Sequence, residues 1–108
     1  MKLRRDPFQA IADPTRRAIL VLLAAQTMSA GAIANNFDVA RPTISKHLTV
    51  LSECDLIQSN QQGREIIYEL KVDNMKKIDQ WLEQFRKIWE NRFDNLDKYL
   101  AQIQNKKQ

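Results

Sequence analysis

Three apolar residues, Ile44, Leu48 and Leu51, recur at i, i+4 and i+7, so they share one stripe of a helix and must bury it. Lys46, Thr49 and Glu53 lie opposite that stripe on the helix wheel, and Thr43 and Ser45 flank it. Upstream, Asp6-Pro7 and Asp13-Pro14 each pair an N-cap residue with proline at the first helical position, where its missing N–H costs nothing. The pattern predicts a short first helix offering Phe8, Ile11 and Ala12 for packing. A second helix is predicted over Pro14–Ala25, with Ile19, Leu22 and Leu23 turned inward. Ser29 is a cap for a third helix ending near Asn36, Phe37 and Val39 plug the core from the following turn, and Pro42 lies in the first turn of the fourth helix.

The period then changes. Ile66, Tyr68 and Leu70 alternate onto one face, which predicts a β-hairpin of Ile57–Asn60 and Arg64–Leu70 around a Gln61-Gln62-Gly63 turn. From about Asn74 to Gln104 the helical period returns without Pro or Gly: Ile78, Leu82, Phe85, Trp89, Phe93, Leu96, Leu100 and Ile103 recur at spacings of three and four. Trp81, Ile88 and Tyr99 add a second stripe beside the first, and Gln102–Gln108 reads as a frayed polar tail. The predicted organisation is a core of residues 1–72 followed by a carboxy-terminal helix and tail of residues 73–108. Such a helix reaches roughly 45 Å at 1.5 Å per residue. A 72-residue body has a radius of gyration of only about 11 Å. Unless the helix folds back, its far half has nothing in its own domain to cover it. The expectation is a homodimer built on Ile78, Trp81, Leu82, Phe85, Ile88, Trp89, Phe93 and Leu96, with help from Phe8 in the first helix. The aromatic stripe is read as interface core in preference to an effector pocket.

The chain has 108 residues, 44% of them hydrophobic, enough for one ordinary globular core. Its longest apolar run, Ala18–Ala25, is far short of a membrane span, and MKLRRDPF is followed by no apolar stretch of the secretory kind. Cys54 is the single cysteine, which excludes an intrachain disulfide and reads as a small core residue without a redox role. These features fit a cytoplasmic protein. The net charge of +4 and pI of about 9.4 favour an anionic partner only weakly. Lys and Arg exceed Asp and Glu by 9 to 7 over residues 1–72 and by 8 to 6 over residues 73–108, so composition does not locate a binding face. One His, one Cys, two Gly, no phosphate loop and no apparent carboxylate pair make an enzyme the poorest reading.

Position says more than totals. A helix anchored by one face, with a basic and hydroxyl-bearing opposite face at its N-terminal end, is suited to the major groove of DNA. Two helices and a turn followed by a hairpin form the winged variant of the helix-turn-helix, giving a mainly α fold with one small β-hairpin. The competing reading is a winged-helix adaptor that binds another protein through its aromatic last helix.

DPTRRAILVLL (13–23), RPTISKHLTVLSECDLI (41–57) and GREIIYEL (63–70) resemble, in order and spacing, the ArsR-type (ArsR/SmtB-like) winged helix-turn-helix transcriptional regulators. The resemblance covers about residues 5–90. It implies that the fourth helix reads the major groove, that the hairpin is the wing, and that terminal helices form a two-fold dimer on a palindromic operator, usually to repress. It puts Arg41, Ser45 and Lys46 at groove-contacting positions, with Thr43 and Thr49 on the same face; Arg41 suits guanine bidentately. Pro42 stands where relatives often carry a hydrogen-bonding side chain, so it sets the helix start only. Arg64 is either a minor-groove contact of the wing or an exposed turn residue. Arg16 and Arg17 are phosphate candidates, one of them alternatively serving an internal pair. His47 is either a packed boundary residue or a DNA contact.

The departures from the family pattern concern metals. SAGAIANNF carries no cysteine pair in the third helix, and the last helix has no histidine. No metal site of either usual kind, and no other cofactor, is expected. The chain therefore resembles the branch without metal motifs, whose effector the sequence does not name.

Overall fold

A computed structural model describes residues 5–106. The reading of the amino-terminus as no signal peptide rests partly on residues 1–4, and the end of the polar tail is residues 107–108; both lie outside the described residues. The order is α1 (Pro7–Ala10), α2 (Pro14–Ala25), β1 (Met28–Ser29), α3 (Ala30–Ala34), α4 (Arg41–Glu53), β2 (Ile57–Gln62), β3 (Glu65–Leu70) and α5 (Val72–Lys106). This is the mainly helical winged helix-turn-helix fold expected, with its β-hairpin. The chain divides into two compact units, Met1–Lys77 and Ile78–Gln108.

Helix starts follow local chemistry. Asp6 Oδ1 accepts the Gln9 amide at 3.0 Å, Asp13 Oδ2 accepts that of Arg16 at 3.0 Å, and Ser29 Oγ accepts that of Ala32 at 3.1 Å. Each satisfies one amide that the helix itself cannot pair. The end of α4 is equally defined. Asp55 adopts φ 63° just beyond the cap, Leu56 N–H donates to Leu51 O at 3.1 Å, and Asp55 N–H donates to Ser52 O at 3.0 Å. This is a Schellman closure with aspartate where glycine is usual, and Leu51 and Leu56 are both fully buried beneath it. Lys71 Nζ meets Asp55 Oδ1 at 2.6 Å, and Asn74 Nδ2 donates to Asp55 O at 2.6 Å and Oδ2 at 2.8 Å, which ties the first turn of α5 to the end of α4.

The core joins Ile19, Leu20 and Leu23 of α2, Ile33 of α3, and Ile44, Leu48 and Leu51 of α4 to Cys54, Leu56 and Ile57. Leu20, not Leu22, completes the buried side of α2, because α2 packs on β3 as well as on α4 and its inward arc is turned towards the sheet. Phe37 packs on the core as expected, but Val39 is 46% exposed and plugs nothing. Ala12 is exposed, while Ala10 is fully buried. Burial raises the pKa of the Cys54 thiol, so the residue is inert packing.

The sheet differs from the expected hairpin in two ways. It has a third strand: β1 pairs antiparallel with β3, Met28 opposite Tyr68 and Ser29 opposite Ile67, giving the order β1-β3-β2. Two residues are too few to show a period of two. The turn is also shorter. Gln61 pairs with Ile66 and Gln62 with Glu65, leaving Gly63 and Arg64 as a two-residue loop. Gly63 takes φ 63° at its first position, which the twist of a tight hairpin demands.

The last helix starts earlier than expected and runs unbroken through Asn91 and Asn95 into the supposed tail, 35 residues or about 52 Å at 1.5 Å per residue. Along it Arg86 pairs with Glu83 at 2.7 Å and with Asp79.

Asp13 gives a direct test of capping. The Arg16 amide bond, helped by the Thr15 amide and the Arg16 charge, holds its carboxyl below the usual carboxylate range. A depressed pKa in the folded state makes the stabilisation present at neutral pH and lost as pH falls through that value. Asp13→Ala should cost about 1 kcal/mol at pH 7 by urea titration. The difference from wild type should shrink once the pH is taken below about 4.

Candidate nucleic-acid interface

Burial of Ile44, Leu48 and Leu51 sets the rotation of α4, and Arg41, Thr43, Ser45, Lys46 and Thr49 are exposed on its remaining surface. Small residues of α3, Ala30, Gly31 and Ala34, line a pocket of about 130 Å³ together with Arg41, Ile44, Ser45 and Leu48 of α4. The hydroxyls are not equivalent. Thr49 Oγ1 donates to Ser45 O at 3.0 Å, so its proton is committed and only its lone pairs face outward. Glu53 closes the far end of this surface, where Arg5 Nε meets it at 2.7 Å and offsets a charge that phosphate would repel.

A cleft of about 430 Å³ separates the α3–α4 pair from the wing. Arg41, Arg64, Glu65, Ile66, Ser29 and Gly31 are on its walls. It brings together two arginines from distant parts of the sequence. Arg64 is the second residue of the two-residue turn and is exposed. Arg41 leans towards α3: a methyl group at the Gly31 α-carbon would sit 3.7 Å from its Nη2.

The remaining candidates face elsewhere. Arg16 Nε donates to Ala10 O at 2.8 Å and its Nη2 to Gln9 O at 3.1 Å. Arg16 Nη1 lies 3.4 Å from His47 Nδ1. With Arg16 as the donor, the His47 ring proton sits on Nε2, which faces Asp13 Oδ2 at 3.9 Å. His47 therefore turns towards α2 and is half-buried, as a boundary residue would be. Arg17 Nη1 donates to Ile11 O at 2.8 Å from an exposed position. Both arginines thus spend donors on carbonyls at and just beyond the C-terminal end of α1, and Arg16 spends more. Among the described residues no group of three or more His, Cys, Asp or Glu comes together to hold a metal ion.

Sequence reasoning missed Ser29, Gly31 and Ile66 as cleft walls. Finding them requires the β1–β3 pairing and the two-residue turn, and neither leaves a periodic signal.

Residues 11–59 match the family described as "Helix-turn-helix domain". The transcriptional repressor SdpR of Bacillus subtilis (strain 168) is 40% identical over 78 residues, 72% of this chain and 87% of that protein. The chain belongs to the ArsR-type family of winged helix-turn-helix transcriptional regulators. The HTH-type transcriptional regulator Rv2034 of Mycobacterium tuberculosis is 35% identical to this ArsR-type regulator over 88 residues, covering 79% of the chain and 82% of the relative. Among solved structures, the ArsR family transcriptional regulator RHA00566 superposes with a TM-score of 0.69 at 34% identity, over 77% of this chain and 91% of that one. An ArsR-like transcriptional regulator from Rhodococcus sp. RHA1 gives 0.64 at 34% identity, over 84% and 86%. The protein is thus a sequence-specific DNA-binding regulator and not an enzyme, which decides against the adaptor reading.

The two kinds of arginine separate in a melting experiment. Arg16→Ala removes several internal hydrogen bonds and should destabilise the ArsR-type regulator by about 1–3 kcal/mol. Arg64→Ala removes none that the fold uses and should leave the melting temperature within a degree or two. Equal melting temperatures for the two variants would contradict this assignment.

Proposed function

We propose that this regulator is a homodimeric repressor of a palindromic operator, with a DNA-binding core in residues 1–72 and a dimerisation helix in residues 73–108. The observation that carries the reading is the shared cleft: Arg41 and Arg64 flank it beside the exposed Ser45 and Lys46 of α4. Lys46 and Ser45 reach base edges or phosphates in the major groove, Thr43 and Thr49 border them, and Arg41 reaches DNA from the cleft mouth. Arg64 follows the wing towards the minor groove. Arg17 keeps donors for a phosphate, Arg16 serves mainly to hold α2 to the C-terminal end of α1, and His47 supports α4 from behind. The name of SdpR, a repressor, supports repression for this relative, and autoregulation fits that reading. The working compartment is the cytoplasm, where the operator is; no helix among the described residues is long and apolar enough to cross a membrane. No metal is assigned as effector.

Dimerisation is supported by the apolar stripe of α5. Trp89 is 49% exposed, Leu96 51% and Phe93 64%, and Trp81 and Ile88 are similarly open. A stripe of this size costs solubility unless a partner covers it, and a second copy supplies the same stripe. Ile78, Leu82 and Phe85 continue it, Trp81 meeting Phe85 edge-on with centroids 4.9 Å apart. Phe8, 38% exposed on α1, is assigned to the same interface.

DNA selected from a random pool should contain inverted half-sites centred roughly 10 bp apart or a multiple of that. Arg41→Ala and Lys46→Ala together should weaken binding to it, by about 1–3 kcal/mol for each base interaction removed. Unchanged affinity in the double variant would sink the assignment of α4. Sedimentation should report a dimer for the wild type, and Phe93→Glu with Leu96→Glu should shift it to monomer with a similar melting profile of the amino-terminal unit. A wild-type monomer at micromolar concentration would reject the dimer.

A further inference from the structure

Ile66 is an exposed apolar residue beside the polar tip of the wing. Its neighbours on β2, from Gln58 through Gln62, are exposed uncharged polar residues. The register puts Ile66, Tyr68 and Leu70 on one face of β3, opposite Gln61, Ser59 and Ile57. Tyr68 and Leu70 pack on the core. Ile66 lies beyond the end of that core, 47% exposed, and lines the cleft between Arg41 and Arg64. Core packing therefore does not account for it, and threonine would meet the strand preference equally well. Along a DNA strand, consecutive phosphates are separated by deoxyribose, whose C–H edge is apolar.

We propose that Ile66 is a DNA-contacting residue that packs on deoxyribose carbons of the backbone strand entering the cleft between Arg41 and Arg64. The proposal rests on the operator-binding reading above and adds to it a contact of a different physical kind. A sugar contact neutralises no phosphate and releases no counterion, so it raises affinity equally at every salt concentration. Every nucleotide carries the sugar, so the contribution is the same for operator and for unrelated duplex.

The test uses the full chain and a duplex selected from a random pool by the wild-type protein. Binding is measured over a salt series for wild type, Ile66→Thr, Ile66→Val and Arg64→Ala. Ile66→Thr should weaken binding about tenfold, from loss of buried apolar area, with Ile66→Val in between. The loss should be equal on operator and unrelated DNA, and the salt slope should match wild type. Arg64→Ala should flatten that slope by about 1 for each phosphate it no longer meets. Replacing every thymine by deoxyuridine should leave the ratio of wild type to Ile66→Thr unchanged. Equal affinity of wild type and Ile66→Thr overturns the proposal. So does a loss with a flattened salt slope, or one that vanishes on the deoxyuridine duplex and so belongs to a thymine methyl. If Ile66→Thr lowers the melting temperature, Ile66→Val, with the same strand preference, decides. Wild-type protein that selects no duplex removes the operator reading itself, and this contact with it.

Discussion

Burying one face of α4, and only one, is the constraint on which the rest depends. Ile44, Leu48 and Leu51 are almost wholly inaccessible, and three points on a stripe leave a helix no freedom to roll. Rotation by a single residue, about 100°, would push a polar side chain into the core and expose a leucine. The outward residues Arg41, Ser45, Lys46 and Thr49 are thus held in place by residues that are themselves buried. The ends of the helix are held as firmly. Asp55 closes its C-terminus in the left-handed conformation, and its contacts with Lys71 and Asn74 carry that closure into the first turn of α5.

Charge in this protein works by placement and not by amount. Arg16 is engaged in hydrogen bonds to Gln9 and Ala10, and Arg5 is paired with Glu53, so neither adds much to the field outside. Arg64 differs because the turn beneath it is only two residues long. Gly63 accepts the positive φ, and the next residue is carried to the tip of the wing. The cleft between that tip and α3 is mixed in character, with Arg41, Arg64, Glu65 and Ile66 along it. Such a surface combines ionic attraction, which salt screens, with apolar contact, which salt does not.

The long helix solves a different problem. Without glycine or proline it stays regular over 35 residues, and Arg86 bridges two of its turns through Glu83 and Asp79. Its aromatic stripe exceeds what a lone helix keeps exposed in water without consequence. The proposed dimer turns that stripe into the device that spaces two recognition helices, since half-site separation follows from subunit geometry.

Periodicity and end chemistry were sufficient for most of this. The stripe of α4, the aspartate caps of α1 and α2, the Ser29 cap and the apolar period of α5 are local, and each depends on residues within one or two turns of one another. Local pattern also marked Lys46 and Thr49, with Thr43 and Ser45 beside them, as the outward side of α4, whereas Arg41 and Arg64 were named by the family resemblance. Local pattern failed wherever the partner was distant. β1 exists only because β3 offers its edge to Met28 and Ser29, and Leu20 displaces Leu22 from the core because α2 rests on that same strand. The turn length followed from cross-strand register, which decided that Ile66 faces the cleft. Arg16 and His47 were ambiguous for the same reason: a donor has no preference between phosphate and carbonyl until folding brings Gln9 and Ala10 within reach. The sequence by itself determined the helices, the presence of a hairpin and the buried stripe of α4. Only tertiary structure decided what the polar groups bond to, because those partners are chosen in space, not along the chain.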